Sequence, residues 1–101
     1  MRREYTIEPI VVNRRKIVKV IIDPHYELKH KDSINDELIL ELVKHLNNRN
    51  VIPEGRGKNN DYSYFSSLIR LRQKQYRLVW LLEDDSIYIG VVNAFRDDRR
   101  K

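Results

Sequence analysis

The alternation of apolar and polar residues along the chain predicts five β-strands, most of them rich in β-branched or aromatic side chains. Pro9 restricts the first strand to a sheet edge or a bulge, since proline cannot donate a ladder hydrogen bond. Asn13 and Arg14 form the turn to the second strand, and short polar segments around RQKQ and EDDS separate the last three into an antiparallel meander. The predicted strands are residues 4–12, 15–22, 62–71, 76–82 and 87–95.

Between the second and third strands the period changes to that of a helix. Asp23-Pro24 is typical of a helix start, with Asp as N-cap and Pro at the first helical position. Ser33, with Asp36 three residues later, gives a second start signal. An apolar stripe at helical spacing follows, which predicts the main helix over residues 34–47. Its members are Ile34, Leu38, Ile39, Leu42, Val43 and Leu46.

These elements predict a single α+β domain over residues 1–101, in the order β-β-α-β-β-β. The main helix, with a short helix starting at Asp23-Pro24 before it, is expected to pack on one face of an antiparallel sheet. Residues 53–61 (PEGRGKNND) contain two of the three glycines and no hydrophobic residue, and are expected to form a mobile loop. Residues 97–101 are expected to form a charged tail.

Composition narrows the classes of function. The chain has 20 basic and 15 acidic residues, and its net charge of +5 favours a partner with phosphate groups. The segment from Arg56 to Arg77 contains six basic residues and one acidic residue, with tyrosines between them. This composition is typical of a surface that binds single-stranded nucleic acid. With no cysteine there is neither a disulfide nor a thiolate metal site. No apolar run approaches the roughly 20 residues that a membrane span needs, and the start MRREYTIEP lacks the apolar stretch of a signal peptide, so we expect no membrane span. The lack of cysteine fits a cytoplasmic protein.

The segment DPHYELKHKDSI holds two of the three histidines. On a helix His25 and Lys29 would share one face and Tyr26 and His30 another. Histidine titrates near neutral pH, and a neighbouring lysine suits phosphate, so the cluster is a candidate for proton transfer on a phosphate ester. The alternative is a solvated helix start. A zinc site is disfavoured because His25 and His30 would diverge by about 140° around a helix.

Strand residues supply candidates for substrate binding. Arg70 and Arg72 alternate with apolar residues and are expected on one face of their strand, while Arg77 belongs to the face of Val79 and Leu81. The planar guanidinium group suits phosphate because it donates two hydrogen bonds at once. Each arginine could equally be a solvent-facing residue paired with an acid. Tyr62, Tyr64 and Phe65 could stack on bases, and Tyr26 and Asn93 are further candidates for substrate binding.

The segments YRLVWLLEDDSIYIGVVNAFR (76–96) and PHYELKHKDSI resemble the RelE/ParE toxins and, more broadly, the metal-independent ribonucleases that include barnase and colicin D. The resemblance implies RNA cleavage by attack of the 2′-hydroxyl on the neighbouring phosphate, and an antitoxin that covers the basic face. It favours Arg96, at the end of the last strand, as a catalytic or phosphate-binding residue. ParE-like members inhibit a topoisomerase instead. The N-terminal hairpin departs from RelE, which has one strand before its helices.

Three functions are therefore compatible with the sequence. The first is an endoribonuclease of a toxin–antitoxin system, free of metal and cofactor, that cleaves mRNA either alone or on the ribosome. Its catalytic residues would be His25, Lys29, His30 and Arg96. The second is a non-catalytic module of the same fold that binds nucleic acid, the ribosome or a topoisomerase through its basic face. The third is an unrelated interaction domain. Catalysis requires His25 or His30 to lie within about 12 Å of Arg96, because base and phosphate clamp must reach one nucleotide.

Overall fold

Six strands and two short helices make up the fold, which a computed structural model describes for residues 1–99. The predicted α+β class is confirmed. The elements are β1 (Arg3–Val12), β2 (Arg15–Ile22), a 3₁₀ turn (Pro24–Tyr26), α1 (Glu27–His30), α2 (Asp36–Lys44), β3 (Gly55–Arg56), β4 (Tyr62–Leu71), β5 (Lys74–Glu83) and β6 (Tyr88–Arg96).

All six strands join one curled sheet in the order β1-β2-β6-β5-β4-β3. The meander of β4, β5 and β6 is antiparallel as expected, but β6 lies beside β2 and runs parallel to it. The expectation of a purely antiparallel sheet is therefore wrong. After both helices and the other strands of the meander, the chain returns to the edge of β2 that faces away from β1. There β6 runs in the same direction as β2, so the two strands pair in parallel.

Two of the hairpins are set by residues with a left-handed backbone. Asn13 and Arg14 have φ of 52° and 63°, and Arg72 and Gln73 have φ of 52° and 69°. Two successive positive φ values are the mark of a type I′ turn, whose twist matches that of the flanking strands. Pro9 lies in β1 at the sheet edge, where the pairing with β2 is irregular, as the sequence predicts.

The helices are shorter than the sequence predicts. Asp23 caps the 3₁₀ turn by accepting a hydrogen bond from the backbone of His25, as expected. The main helix predicted over residues 34–47 is not formed at that length, since α2 has only nine residues. Its N-cap is Asn35, not Ser33, whose hydroxyl contacts the carbonyl of His30 at the end of α1. The apolar stripe nevertheless points inward as predicted.

The core lies between α2 and one face of the sheet. Ile39, Leu42 and Val43 of α2 are fully buried in one cluster with side chains of β2, β4, β5 and β6. At its centre the rings of Phe65 and Trp80 stack with centroids 4.0 Å apart. The opposite face of the sheet is not covered by α2.

The predicted loop (residues 53–61) and the predicted tail (residues 97–101) differ in the contacts that the structure describes for them. The loop expected over residues 53–61 contains the short strand β3, and Arg56 ties it to Asn60, Ser63 and Asp84. Its mobility stays a prediction. The tail expected over residues 97–101 is described only as far as Arg99, and its last two residues lie outside the described range. Within residues 1–99 no helix has the length and apolar character needed to cross a membrane.

Candidate nucleic-acid interface

The face of the sheet opposite α2 carries most of the residues that the sequence predicts to bind a substrate. Because paired residues of neighbouring strands share a face and successive residues alternate, the register assigns every side chain to a side. We call this surface the outer face. Its members are Tyr62, Tyr64, Ser66, Leu68 and Arg70 of β4, Gln75, Arg77, Val79, Leu81 and Glu83 of β5, and Tyr88, Gly90, Asn93 and Phe95 of β6.

A histidine of α1 lies against this face. The ring of His30 stacks on that of Phe95, with centroids 5.4 Å apart and planes inclined by 26°. Phe95 is in turn paired with Arg77 on the neighbouring strand. The three side chains therefore form a row across the sheet, which brings a histidine near an arginine although 47 residues separate them in the chain.

Arg77 is held in place by its neighbours. Its Nε donates to Asp97 (3.1 Å) and its Nη1 to Ser66 Oγ (3.2 Å). Arg99 donates to the same carboxylate, and hydrogen bonds from Arg99 and Arg77 hold the pKa of Asp97 well below its usual range. Arg77 keeps 20% of its side chain exposed. A guanidinium group fixed in this way can offer its remaining N–H groups to a phosphate.

Arg96 occupies a different position from the one expected. It follows Phe95 in the strand, so alternation directs its side chain away from the outer face. Its exposed guanidinium group pairs with Asp98 (3.2 Å). Arg77, and not Arg96, is thus the arginine that lies beside Phe95 on the outer face, where His30 stacks on the Phe95 ring.

The other predicted binding residues are spread over two surfaces. Arg70 lies on the outer face, beside a cavity of about 210 Å³ that Arg99 also lines. Arg72 lies in the hairpin turn and pairs with Glu41 of α2 (2.6 Å). The expectation that Arg70 and Arg72 share a face is therefore wrong, because the strand ends one residue before Arg72. Asn93 reaches the outer face, but its side chain accepts from the backbone of Ala94.

In the histidine segment (DPHYELKHKDSI, residues 23–34), some side chains are exposed and others are buried in the core. His25 and Lys29 are exposed, as candidates for substrate contact need to be. Tyr26 is not: it is only 3% exposed, and its hydroxyl donates to Asp36 (2.8 Å). Tyr26 does not reach the surface as a substrate-binding residue would need to, because the 3₁₀ turn directs its ring into the core.

Replacing Tyr26 by phenylalanine tests this assignment. The change is expected to lower the free energy of unfolding by about 1–2 kcal/mol, since a hydrogen bond to a charged group is lost while the ring remains. The affinity for RNA is expected to stay the same. Denaturant unfolding and RNA binding measured on one preparation check both statements, and a weaker RNA complex would return Tyr26 to the interface.

Two contributors to this surface carry little signal in the sequence. Asp97 belongs to the charged run RDDRR, which gives no sign that its first acid is buried beneath Arg77. Phe95 is typical of a core strand residue, and only the register shows that it faces His30. Tyr64, by contrast, is 40% exposed, and its stacking on a base stays a prediction.

Among residues 1–99, no three His, Cys, Asp or Glu side chains are grouped as metal ligands. The comparisons with known proteins add no assignment: the sequence matches no protein-family model, no curated protein and no solved structure.

Proposed function

We propose that this protein is a RelE-like endoribonuclease that binds single-stranded RNA across the outer face and cleaves it without a metal ion. The observation that carries the proposal is the stacking of His30 on Phe95, beside the fixed guanidinium group of Arg77. A titratable ring and a phosphate-binding cation on one small surface are the two parts that cleavage by a 2′-hydroxyl requires.

The chemistry follows from these positions. His30 takes the proton of the 2′-hydroxyl, whose oxygen attacks the adjacent phosphorus while the bond to the 5′-oxygen breaks. Arg77 stabilises the extra negative charge on the phosphate oxygens. His25 or Lys29, both exposed on the same segment, protonates the leaving oxygen. The products are a 2′,3′-cyclic phosphate and a 5′-hydroxyl.

Binding uses the rest of the outer face. Tyr64 offers an exposed ring for a base, and Arg70 offers an exposed cation for a flanking phosphate. The substrate is mRNA, free or on the ribosome, and an antitoxin would inhibit by covering this face.

The runner-up is a module of the same fold that binds nucleic acid, the ribosome or a topoisomerase without chemistry. The observation in its favour is that Tyr64 and Arg70 are exposed on the outer face, since an aromatic ring and a cation can bind single-stranded nucleic acid without any catalytic group. It predicts RNA affinity without new RNA ends.

Incubation of purified protein with mixed-sequence RNA in excess EDTA separates the two functions. Cleavage is expected, with 2′,3′-cyclic phosphate and 5′-hydroxyl ends. Tight binding with intact RNA would support the module, and neither binding nor cleavage would leave the outer face without a role in RNA chemistry.

Replacing Arg77 by glutamine is expected to weaken RNA binding by about tenfold or more, because a charge-assisted hydrogen bond is worth roughly 1.5–3 kcal/mol. The plot of log affinity against log salt concentration should become less steep by about one unit, as expected when one phosphate contact is lost. Arg14→Gln removes the same charge from the exposed β1–β2 turn and serves as control. Fluorescence anisotropy with labelled RNA at several salt concentrations measures both, and equal effects of the two changes would mean that only net charge matters.

A further inference from the structure

The sheet has two edges, and they are protected to different degrees. β1 forms one edge, whereas β3 covers only two residues of β4 and leaves the rest of that strand as the other edge. β1 is interrupted by irregular pairing near Pro9, carries exposed Glu4 and Glu8, and at its end exchanges backbone hydrogen bonds with residues 48–49. A bulge, a proline and charged side chains all prevent a further strand from pairing. The β1 edge is therefore closed to another strand.

β4 directs every second residue toward its free edge. Gly57 N donates to Tyr62 O and Glu54 N donates to Tyr64 O, both at 2.8 Å. The even-numbered residues of β4 thus direct their backbone groups away from β5, because the N–H and C=O of one residue in an antiparallel ladder face the same neighbour. The unbroken register between β4 and β5 continues this alternation to Leu71.

The ladder on the free side of β4 stops after Tyr64. Pro53 lies just before the segment that pairs, and it has no N–H to extend the ladder. Ser66, Leu68 and Arg70 therefore direct N–H and C=O groups to a side on which residues 1–99 place no strand. Unpaired backbone groups in a row are a template for another strand.

A groove of about 500 Å³ lies beside this edge and gives a strand room to approach. β4 contributes residues 66–68 to its lining, and the chain after α2 contributes residues 49–52 and Glu54. Residues 66–69 (SSLI) carry no charge, and Ile52 is 86% exposed although it is apolar. The β4 edge thus lacks the features that protect β1, and an occupant that contacts Ile52 removes apolar surface from water.

A second copy of β4 fits this edge. In an antiparallel pair about a two-fold axis at Leu68, Leu68 lies opposite Leu68 of the second copy, and Arg70 lies opposite Ser66 of the second copy. This register pairs all three outward residues and sets no two like charges opposite each other. Glu54 lines the groove together with Ser66, so a carboxylate lies on the side from which Arg70 of the second copy approaches.

We propose that this protein dimerises by pairing the β4 edges of two copies over residues 66–70, which joins their sheets into one. The two-fold axis is perpendicular to the sheet, so the outer faces of both copies lie on the same side of the joined sheet. The proposal goes beyond RNA cleavage and does not depend on it.

Sedimentation equilibrium of the intact protein over a range of concentrations tests the dimer. A mass of twice 12.3 kDa is expected at the upper concentrations. Leu68→Lys places two like charges opposite each other at the axis and should raise the dissociation constant of the dimer by about tenfold or more. Val11→Lys adds the same charge at an exposed position of β1 and should leave the dimer unchanged.

Amide hydrogen exchange followed by NMR locates the interface without any substitution. The amides of Ser66, Leu68 and Arg70 should exchange more slowly as the protein concentration rises, because they gain a hydrogen-bond partner only in the dimer. The amides of Ser67 and Ile69 face β5 within a single copy, so their exchange should change much less.

The outcomes separate the dimer from the enzyme. A monomer at all concentrations, or a dimer that Leu68→Lys and Val11→Lys weaken equally, overturns the proposal. Slow exchange of the three outward amides in a monomer also overturns it. RNA cleavage by such a monomer leaves the endoribonuclease standing, whereas a dimer with slow outward amides that leaves RNA intact supports the β4 interface and contradicts the endoribonuclease.

Discussion

Replacing His30 by alanine is expected to lower the rate of RNA cleavage by roughly 10²–10⁴-fold, the usual contribution of one general acid or base. The ring of His30 lies against the outer face through its stack on Phe95. Single-turnover cleavage of a short labelled RNA in EDTA measures the rate, and RNA affinity measured alongside should change little, because the proton transfer occurs only in the transition state.

Two matched variants show whether the loss comes from proton transfer. His30→Phe keeps an aromatic ring on Phe95 but cannot carry a proton, so its rate should fall as far as that of His30→Ala. His45→Ala removes an exposed histidine at the end of α2, whose Nδ1 lies 2.9 Å from the Glu41 carbonyl oxygen, and its rate should match the wild type. Full activity of His30→Phe would mean that the ring only supports the fold, and would leave His25 as the remaining candidate.

Local patterns predict the strands of this protein well, because side-chain alternation and turn residues act over a few positions. Asn13 and Arg14 form the expected turn, and Pro9 lies on the expected edge. The position of β6 beside β2 depends instead on how the chain returns after about 65 residues, and no local pattern specifies that choice. The start of α2 is missed for a different, local reason, since both Ser33 and Asn35 can cap a helix and the Asn35 side chain is the one that accepts from Leu38.

The sequence offers the residue types of the proposed site but not its geometry. It names His30 as a catalytic candidate and Arg77 as a binding candidate, and it favours Arg96 over Arg77 for catalysis. The proximity of Arg77 and His30 depends on Phe95, which pairs with one and stacks on the other. Arg72 and Arg96 are equally plausible phosphate-binding residues in the sequence. Arg72, however, lies in a hairpin turn, and Arg96 follows Phe95 by one residue in the strand, so neither side chain lies on the outer face.

The histidine segment also depends on a carboxylate beneath it. Asp36 at the start of α2 accepts hydrogen bonds from Arg3 Nε (2.6 Å), Tyr5 (2.5 Å) and Tyr26 (2.8 Å). It thereby joins β1, the 3₁₀ turn and α2, and its side chain is only 15% exposed. Because Tyr26 lies four residues before His30, this network positions the segment that carries the proposed catalytic residue.

Asp36→Asn is expected to lower the free energy of unfolding by about 3 kcal/mol, since Arg3 loses its anionic partner while one donor is added among three others. For a chain of this size that corresponds to a fall in Tm of roughly 10–20 °C. Thermal and denaturant unfolding measure the change. Asp32→Asn removes the same charge from an exposed position between α1 and α2, and should alter stability by less than about 0.5 kcal/mol.

The effect should depend on pH in a direction fixed by Asp36. Hydrogen bonds from Arg3, Tyr5 and Tyr26 lower the pKa of Asp36 to about 2 in the folded protein, whereas an unfolded chain has a pKa of about 3.9. The charge therefore stabilises the fold fully above about pH 4, and this contribution is lost as the pH falls through 2. The stability difference between wild type and Asp36→Asn should shrink by about 2 kcal/mol over that range. A difference that stays constant from pH 6 to pH 2 would mean that the ionised form of Asp36 does not hold β1, the 3₁₀ turn and α2 together.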